Sequence, residues 1–137
     1  MRNLIAEGRR GQCMNDFWSL LRGGALHLQR CSSCEFVRFP PADTCPSCGV
    51  PGGSWVDCGG RGTLRAWTVT HPAASNRLPT RLRAEVPFVL GLVEVPMCSS
   101  FLIPVRITGV PQELLKLGLQ MNVRLGPSEA RQLVATA

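Results

Sequence analysis

The stretch C-S-S-C-E-F-V-R-F-P-P-A-D-T-C-P-S-C-G, residues 31–49, decides the fold. It holds two C-x-x-C pairs, Cys31/Cys34 and Cys45/Cys48, with ten residues between them. Two residues between cysteines let a tight turn aim both sulfurs at one point, and a second such turn completes a tetrahedron. Gly49 follows the second pair, where a positive φ is useful, and Glu35 takes that place after the first. Four thiolates leave no open position for water. The spacing therefore predicts a closed, structural Zn2+ site, one per chain, held by Cys31, Cys34, Cys45 and Cys48. Such a site contributes on the order of 10 kcal/mol to a module too small to fold alone. Iron in a rubredoxin-type site would use the same ligands. A disulfide framework would need an oxidising compartment. A thioredoxin-like motif would be a single C-x-x-C at a strand–helix junction, which two proline-flanked pairs do not resemble. Cys13, Cys58 and Cys98 have no C-x-x-C partner and read as small apolar residues.

Outward from the cysteines, A-L-H-L-Q-R (25–30) reads as a strand entering the first turn. E-F-V-R-F leaves that turn into Pro40-Pro41, and S-W-V-D (54–57) is a short strand with Trp55 as core anchor. These pieces predict a zinc ribbon over 25–57. Upstream, Asn15 can cap a short helix whose apolar face is Phe17, Trp18, Leu20 and Leu21, with Gly23 or Gly24 to end it. That helix either packs on its own domain or docks on a partner. Residues 1–14 are polar and aperiodic and read as a loose arm, so arm and helix together occupy 1–24.

Downstream, G-G-R-G-T-L-R-A-W-T-V-T-H is a glycine-led strand, followed by a long polar loop. P-F-V-L-G-L-V-E-V is a strong strand in which Gly91 suggests a bulge or bend. S-S-F-L-I-P-V-R-I-T is another, with Pro104 directing it to an edge or bulge. P-Q-E-L-L-K-L-G reads as one short helix, and L-Q-M-N-V-R-L alternates strictly. The fold class is mainly β: an N-terminal helical segment, a rubredoxin-like zinc ribbon, then an OB-fold-like five-stranded β-barrel with a C-terminal tail over 58–137. An open β-sandwich fragment is the alternative.

At 137 residues the chain makes one compact unit or two very small ones. With 45% hydrophobic and 18% charged residues it is not mainly disordered. No apolar run reaches the ~18 residues a membrane span needs, because Pro87, Gly91 and Glu94 break the run from Val86 to Val95. Leu4, Ile5 and Ala6 give way at once to Glu7, Gly8, Arg9 and Arg10, which is no signal peptide. The expected setting is cytoplasmic, with no membrane. The formal charge of +6 rests on 14 arginines and one lysine. Four thiolates around one divalent ion bring it to about +4, a moderate value.

The ordered set of motifs has a family likeness. It comprises F-W (17–18), G-A-L-H-L-Q-R-C-S-S-C (24–34), F-P-P (39–41), C-P-S-C-G (45–49), Trp55, G-R-G-T (60–63), T-V-T-H (68–71), P-F-V-L-G-L-V-E (87–94) and G-L-Q-M-N-V (118–123). Together they resemble the zinc-ribbon plus OB-fold proteins that accompany thiolases and other acyl-CoA enzymes. The resemblance implies a non-catalytic accessory subunit in a hetero-oligomer with a thiolase-fold or hydratase protein. It would help form the acyl-CoA channel while the partner does the chemistry. Three departures stand out: Pro96-Met97-Cys98-Ser99 replaces a Gly-containing acidic turn, the first C-x-x-C lacks its glycine, and the N-terminal arm does not match the family.

The residues agree with a non-catalytic role, since no serine–histidine–aspartate order is visible and the nine acidic residues are scattered. His27 lies on a ribbon strand. His71, at a strand end before Pro72, is the better functional candidate. Arg61, Arg77, Arg81 and Arg83 are candidates for CoA phosphates. The partner- or CoA-facing set is Phe17, Trp18, His71, Arg77, Arg81 and Arg83, on a face made by the short helix, the ribbon and the 71–86 loop. The rival class is a nucleic-acid-binding zinc-ribbon/OB module. It is disfavoured because only Trp67, Phe88 and Phe101 offer stacking surfaces among strands of Val, Leu, Ile and Thr. A stand-alone enzyme or an iron-dependent electron carrier is a third class.

Overall fold

The structure, a computed structural model, describes residues 12–126 and 133–137. The expected arm at 1–14 therefore lies almost wholly outside the described residues. Helix α1 spans Gln12–Arg22 and buries Cys13, Phe17 and Leu21, one stripe at i, i+4 and i+8. It begins three residues before Asn15, which stands inside the helix rather than at its cap. Its end follows the sequence: the N–H groups of Gly23 and Gly24 bond the carbonyls of Leu20 and Leu21, and Gly24 takes φ +103°.

The ribbon is a small antiparallel sheet in the order β2-β1-β3, with β1 at His27–Arg30, β2 at Val37–Arg38 and β3 at Ser54–Asp57. Strands this short close little core of their own. Their apolar side chains instead join a cluster shared with the helix and the barrel, in which Phe17, Leu28 and Trp55 meet Leu64, Val93 and Ile103.

Five strands close the barrel in the order β4-β5-β6-β8-β7. They are β4 (Arg61–Thr70), β5 (Phe88–Val95), β6 (Cys98–Ile107), β7 (Gln120–Leu125) and β8 (Leu133–Thr136). Closure needs β8. It runs parallel to β6 at Arg106↔Val134 and Ile107↔Ala135, and antiparallel to β7 from Asn122↔Thr136 to Leu125↔Leu133. Read from sequence, this segment is a tail; in the fold it is the strand that seals the barrel. Pro104 pairs with Leu92 of β5 in a stretch of β6 that, among the described residues, has no strand on its other flank.

The barrel corrects three local expectations. Gly91 sits in regular pairing between Trp67 and Val105, while the irregularities fall at Leu64/Ala66 and Val93/Val95. Glycine is needed at 91 for space: a Cβ there would lie 2.7 Å from Ile107 Cδ1 and 3.0 Å from Leu64 Cδ1. The expected helix over 111–118 is a single 3-10 turn, Gln112–Leu114, because Leu115 is already extended at ψ 127° and so short a run cannot nucleate an α-helix. The 71–86 loop has local order, a 3-10 turn at Pro72–Arg77 and one helical turn, α2, at Thr80–Arg83.

Candidate metal centre and an exposed apolar face

Each C-x-x-C closes the same way. The Cys31 N–H bonds the Phe36 carbonyl at 2.9 Å and the Glu35 N–H bonds the Cys31 carbonyl at 3.2 Å. In the second turn Cys45 bonds Val50 at 2.9 Å and Gly49 bonds Cys45 at 2.8 Å. Both turns need a left-handed residue to reverse the chain. Gly49 supplies it at φ +77° and Glu35 at φ +63°, the only non-glycine among the described residues with positive φ. An exposed ion pair from Glu35 to Arg30 at 2.9 Å adds little against that strain.

The two turns bring the four sulfurs within 4.8 Å of one another, with Cys31–Cys48 and Cys34–Cys45 both at 3.6 Å. A tetrahedron with Zn–S bonds of ~2.3 Å has edges of about 3.8 Å, so the cluster has the size of a tetrathiolate site. Its polarity also fits. Backbone N–H groups of Cys34 and Ser33 bond the Cys31 sulfur and hold its pKa down to about 6. At Cys48 the Val50 N–H acts downward, but burial and the three neighbouring sulfurs push the pKa up to about 11. Four thiolates this close repel, and a divalent cation at their centre is what lets all four ionise. The donor set fits a metal ion, and the remaining cysteines do not join it. Burial raises the pKa of Cys13, Cys58 and Cys98, with Cys58 pushed up to about 11.

The other sequence-derived candidates scatter. Phe17 is corrected: it is 1% exposed and packs on Trp18, Phe39 and Trp55, with ring centroids 5.1, 5.8 and 6.4 Å away. It anchors the core and is not available to a partner. Trp18, one residue on, is half-buried and lines a groove. His71 is exposed at the end of β4. Arg77 and Arg83 are exposed on the 72–83 segment, where Arg83 Nε donates to the Leu78 carbonyl at 3.0 Å. The Arg81 side chain lies outside the described residues. Arg61 opens β4 and stands apart from the others at that strand's far end.

Sequence reasoning missed the outer face of the barrel. Leu90, Leu92 and Leu102 are 41%, 37% and 40% exposed, and Trp67, opposite Gly91 and so on the other face of β4, is 36% exposed. Register puts Ala66, Leu92 and Pro104 side by side across β4, β5 and β6. Beside them runs a groove of about 610 Å³, lined by Trp18 and Phe39 from the helix–ribbon side and by Trp67, Leu92 and Pro104 from the barrel. Arg106 lines it too, stacked 4.8 Å over the Phe88 ring and paired with Glu85 of the preceding loop. A signal was present: P-F-V-L-G-L-V-E-V is apolar on both faces, the pattern of a strand covered on two sides.

A four-cysteine ribbon ahead of a closed five-stranded barrel defines a class, the rubredoxin-like zinc ribbon joined to an OB-fold. The chain belongs to the ChsH2 family: the ChsH2 C-terminal OB-fold domain matches residues 55–126 and the ChsH2 rubredoxin-like zinc ribbon domain matches residues 18–52. A curated relative, the probable enoyl-CoA hydratase alpha subunit of Thermomonospora curvata, is 27% identical over 106 residues, 77% of this chain and 31% of the relative. The chain thus spans about a third of that relative's length. Among solved structures, the Ltp2-ChsH2(DUF35) aldolase is similar at a TM-score of 0.74 and 22% identity, over 96% of each chain. A DUF35-family protein of unknown function from Sulfolobus solfataricus is similar at 0.66 and 17%, over 93% of this chain and 86% of its own. These likenesses are of fold.

Proposed function

We propose that the chain is a non-catalytic accessory subunit that binds a thiolase-fold or hydratase protein and helps form its acyl-CoA channel. The carrying observation is the apolar face of Leu90, Leu92 and Leu102 with its adjoining groove, which Trp67 also lines. Monomers rarely leave so many contiguous large apolar groups in water. Covering a leucine fully is worth ~1.5–3 kcal/mol, so this face favours a protein partner or an apolar ligand part. The relatives, a probable enoyl-CoA hydratase alpha subunit and the Ltp2-ChsH2(DUF35) aldolase, support the acyl-CoA context. Within this reading the metal is one structural Zn2+, since four cysteines leave no position for substrate. A reducing, cytoplasmic setting belongs to the same proposal, because the four thiols must stay reduced to hold the ion.

The test is co-expression with a candidate thiolase-fold or hydratase partner from the native host, followed by affinity purification. Leu92→Glu and Trp18→Ala should reduce recovery of the partner at least tenfold while leaving the subunit's own melting temperature within a few degrees. Unchanged recovery in both would sink the proposed face. A salt-sensitive shift of single-stranded oligonucleotide by the free chain would instead favour the nucleic-acid module.

A further inference from the structure

The ribbon sheet has a polar row where a core is expected. Gln29 stands opposite Arg38 on one side and opposite Trp55 on the other. All three are buried: Gln29 is 0%, Arg38 1% and Trp55 2% exposed. Arg38 ties the second metal turn at both ends, donating from Nη2 to the carbonyls of Ala42 and Gly52 at 3.0 and 2.9 Å. Its Nε donates to Gln29 Oε1 at 3.0 Å, and the same oxygen accepts the Ala42 N–H at 2.7 Å. These bonds fix which end of the Gln29 amide is oxygen.

Three donors remain without an acceptor: Arg38 Nη1, Gln29 Nε2 and Trp55 Nε1. Every orphan is an N–H, and no buried side-chain oxygen is left unpaired beside them among the described residues. Arg38 forms no ion pair with a described carboxylate. A guanidinium is a permanent cation, and burying it against neutral acceptors alone is unfavourable. A water molecule offers two lone pairs but must place two hydrogens of its own. An anion accepts from every donor and offsets the charge as well.

We infer that the Arg38–Gln29–Trp55 row is a buried binding site for a small monovalent anion of halide size. The site sits behind the second metal turn, so its occupant also stiffens the loop from Ala42 to Gly52. The inference is independent of the proposed partner, because it concerns the free chain.

The experiment uses bromide as the probe. Crystals of the metal-loaded full chain are grown in sodium bromide, and anomalous scattering is recorded at the bromine edge. A bromide peak within hydrogen-bond distance of Arg38 Nη1 is the expected result. In parallel, the melting temperature should rise with bromide but not with gluconate at equal ionic strength. Trp55→Phe keeps the ring and removes one donor, so the bromide midpoint should move up by about tenfold. Arg38→Met should abolish the response, and if it does not fold, Trp55→Phe carries the test alone. Water density alone at the row, bromide only at the surface, or equal responses to bromide and gluconate would each overturn the inference.

Discussion

The two halves of this chain are held together by different means. The ribbon has three strands of four, two and four residues and gathers its loops on four sulfurs. The barrel closes five strands around Leu64, Val93, Ile103, Val105 and Met121, all nearly inaccessible. One half keeps a buried arginine and a glutamine in its sheet, while the other buries an apolar interior. The contrast shows what each leaves open. The ribbon gathers on a four-sulfur site that fits an ion, and the barrel, complete inside, leaves its outer leucines exposed, the face proposed above to meet a partner.

The largest expected effect separates the halves outright. Cys45→Ser, or chelation of the metal, should remove a contribution on the order of 10 kcal/mol from the ribbon. Metal content by mass spectrometry should fall to zero, with the resonances of residues 27–57 collapsing before those of the barrel. Unchanged metal content and melting curve would refute the ligand assignment. Next comes the joint between the halves. Phe17→Ala should cost ~3–5 kcal/mol in denaturant unfolding, as the loss of a fully buried ring does. Leu64→Ala should cost ~2–5 kcal/mol with metal stoichiometry intact. Equal, small effects from Phe17→Ala and Trp18→Ala would mean that Phe17 is not core.

A smaller effect tests the two metal turns against each other. Glu35→Gly relieves a left-handed non-glycine and should stabilise the loaded protein by about 1 kcal/mol, whereas Gly49→Ala should cost about as much. Thermal melts of both variants check the sign. The smallest effect is in pH. The Cys31 pKa is depressed to about 6 by the N–H groups of Cys34 and Ser33. Its contribution is therefore present above the ordinary thiol value near 9 and is lost as pH falls through 6; competition of protons with metal acts in the same direction. Cys58 is the reverse case. Burial raises it to about 11, so its contribution is full below 9 and is lost as pH rises towards 11. Cys58→Ala should flatten the alkaline limb of a stability-against-pH curve and leave the acid limb alone.

Much of this was legible in the sequence where local spacing carries the physics. Two C-x-x-C pairs specify a metal site because the turn geometry is local. Strict alternation in L-Q-M-N-V-R-L specifies a one-sided strand, and Met121 and Val123 do face the core. What was not legible depends on the other side of a surface. An amphipathic helix has the same pattern whether its stripe meets its own core or a partner, so the pattern around Phe17 leaves both open and only the fold shows it buried. L-V-A-T (133–136) is too short and too evenly apolar to announce a strand, yet two neighbours order it. Arg38 and Gln29 are polar by type, and it is pairing across the sheet that buries them.

The most direct measurement is a tagged pull-down of the full chain from its native host, in parallel with the Leu92→Glu variant, followed by quantitative mass spectrometry. The expected result is a thiolase-fold or hydratase protein recovered near stoichiometry with the native chain and lost with the variant. Recovery of nucleic acid or ribosomal proteins that survives nuclease treatment and moderate salt, or equal partner recovery by both chains, would contradict the role assigned to the apolar face.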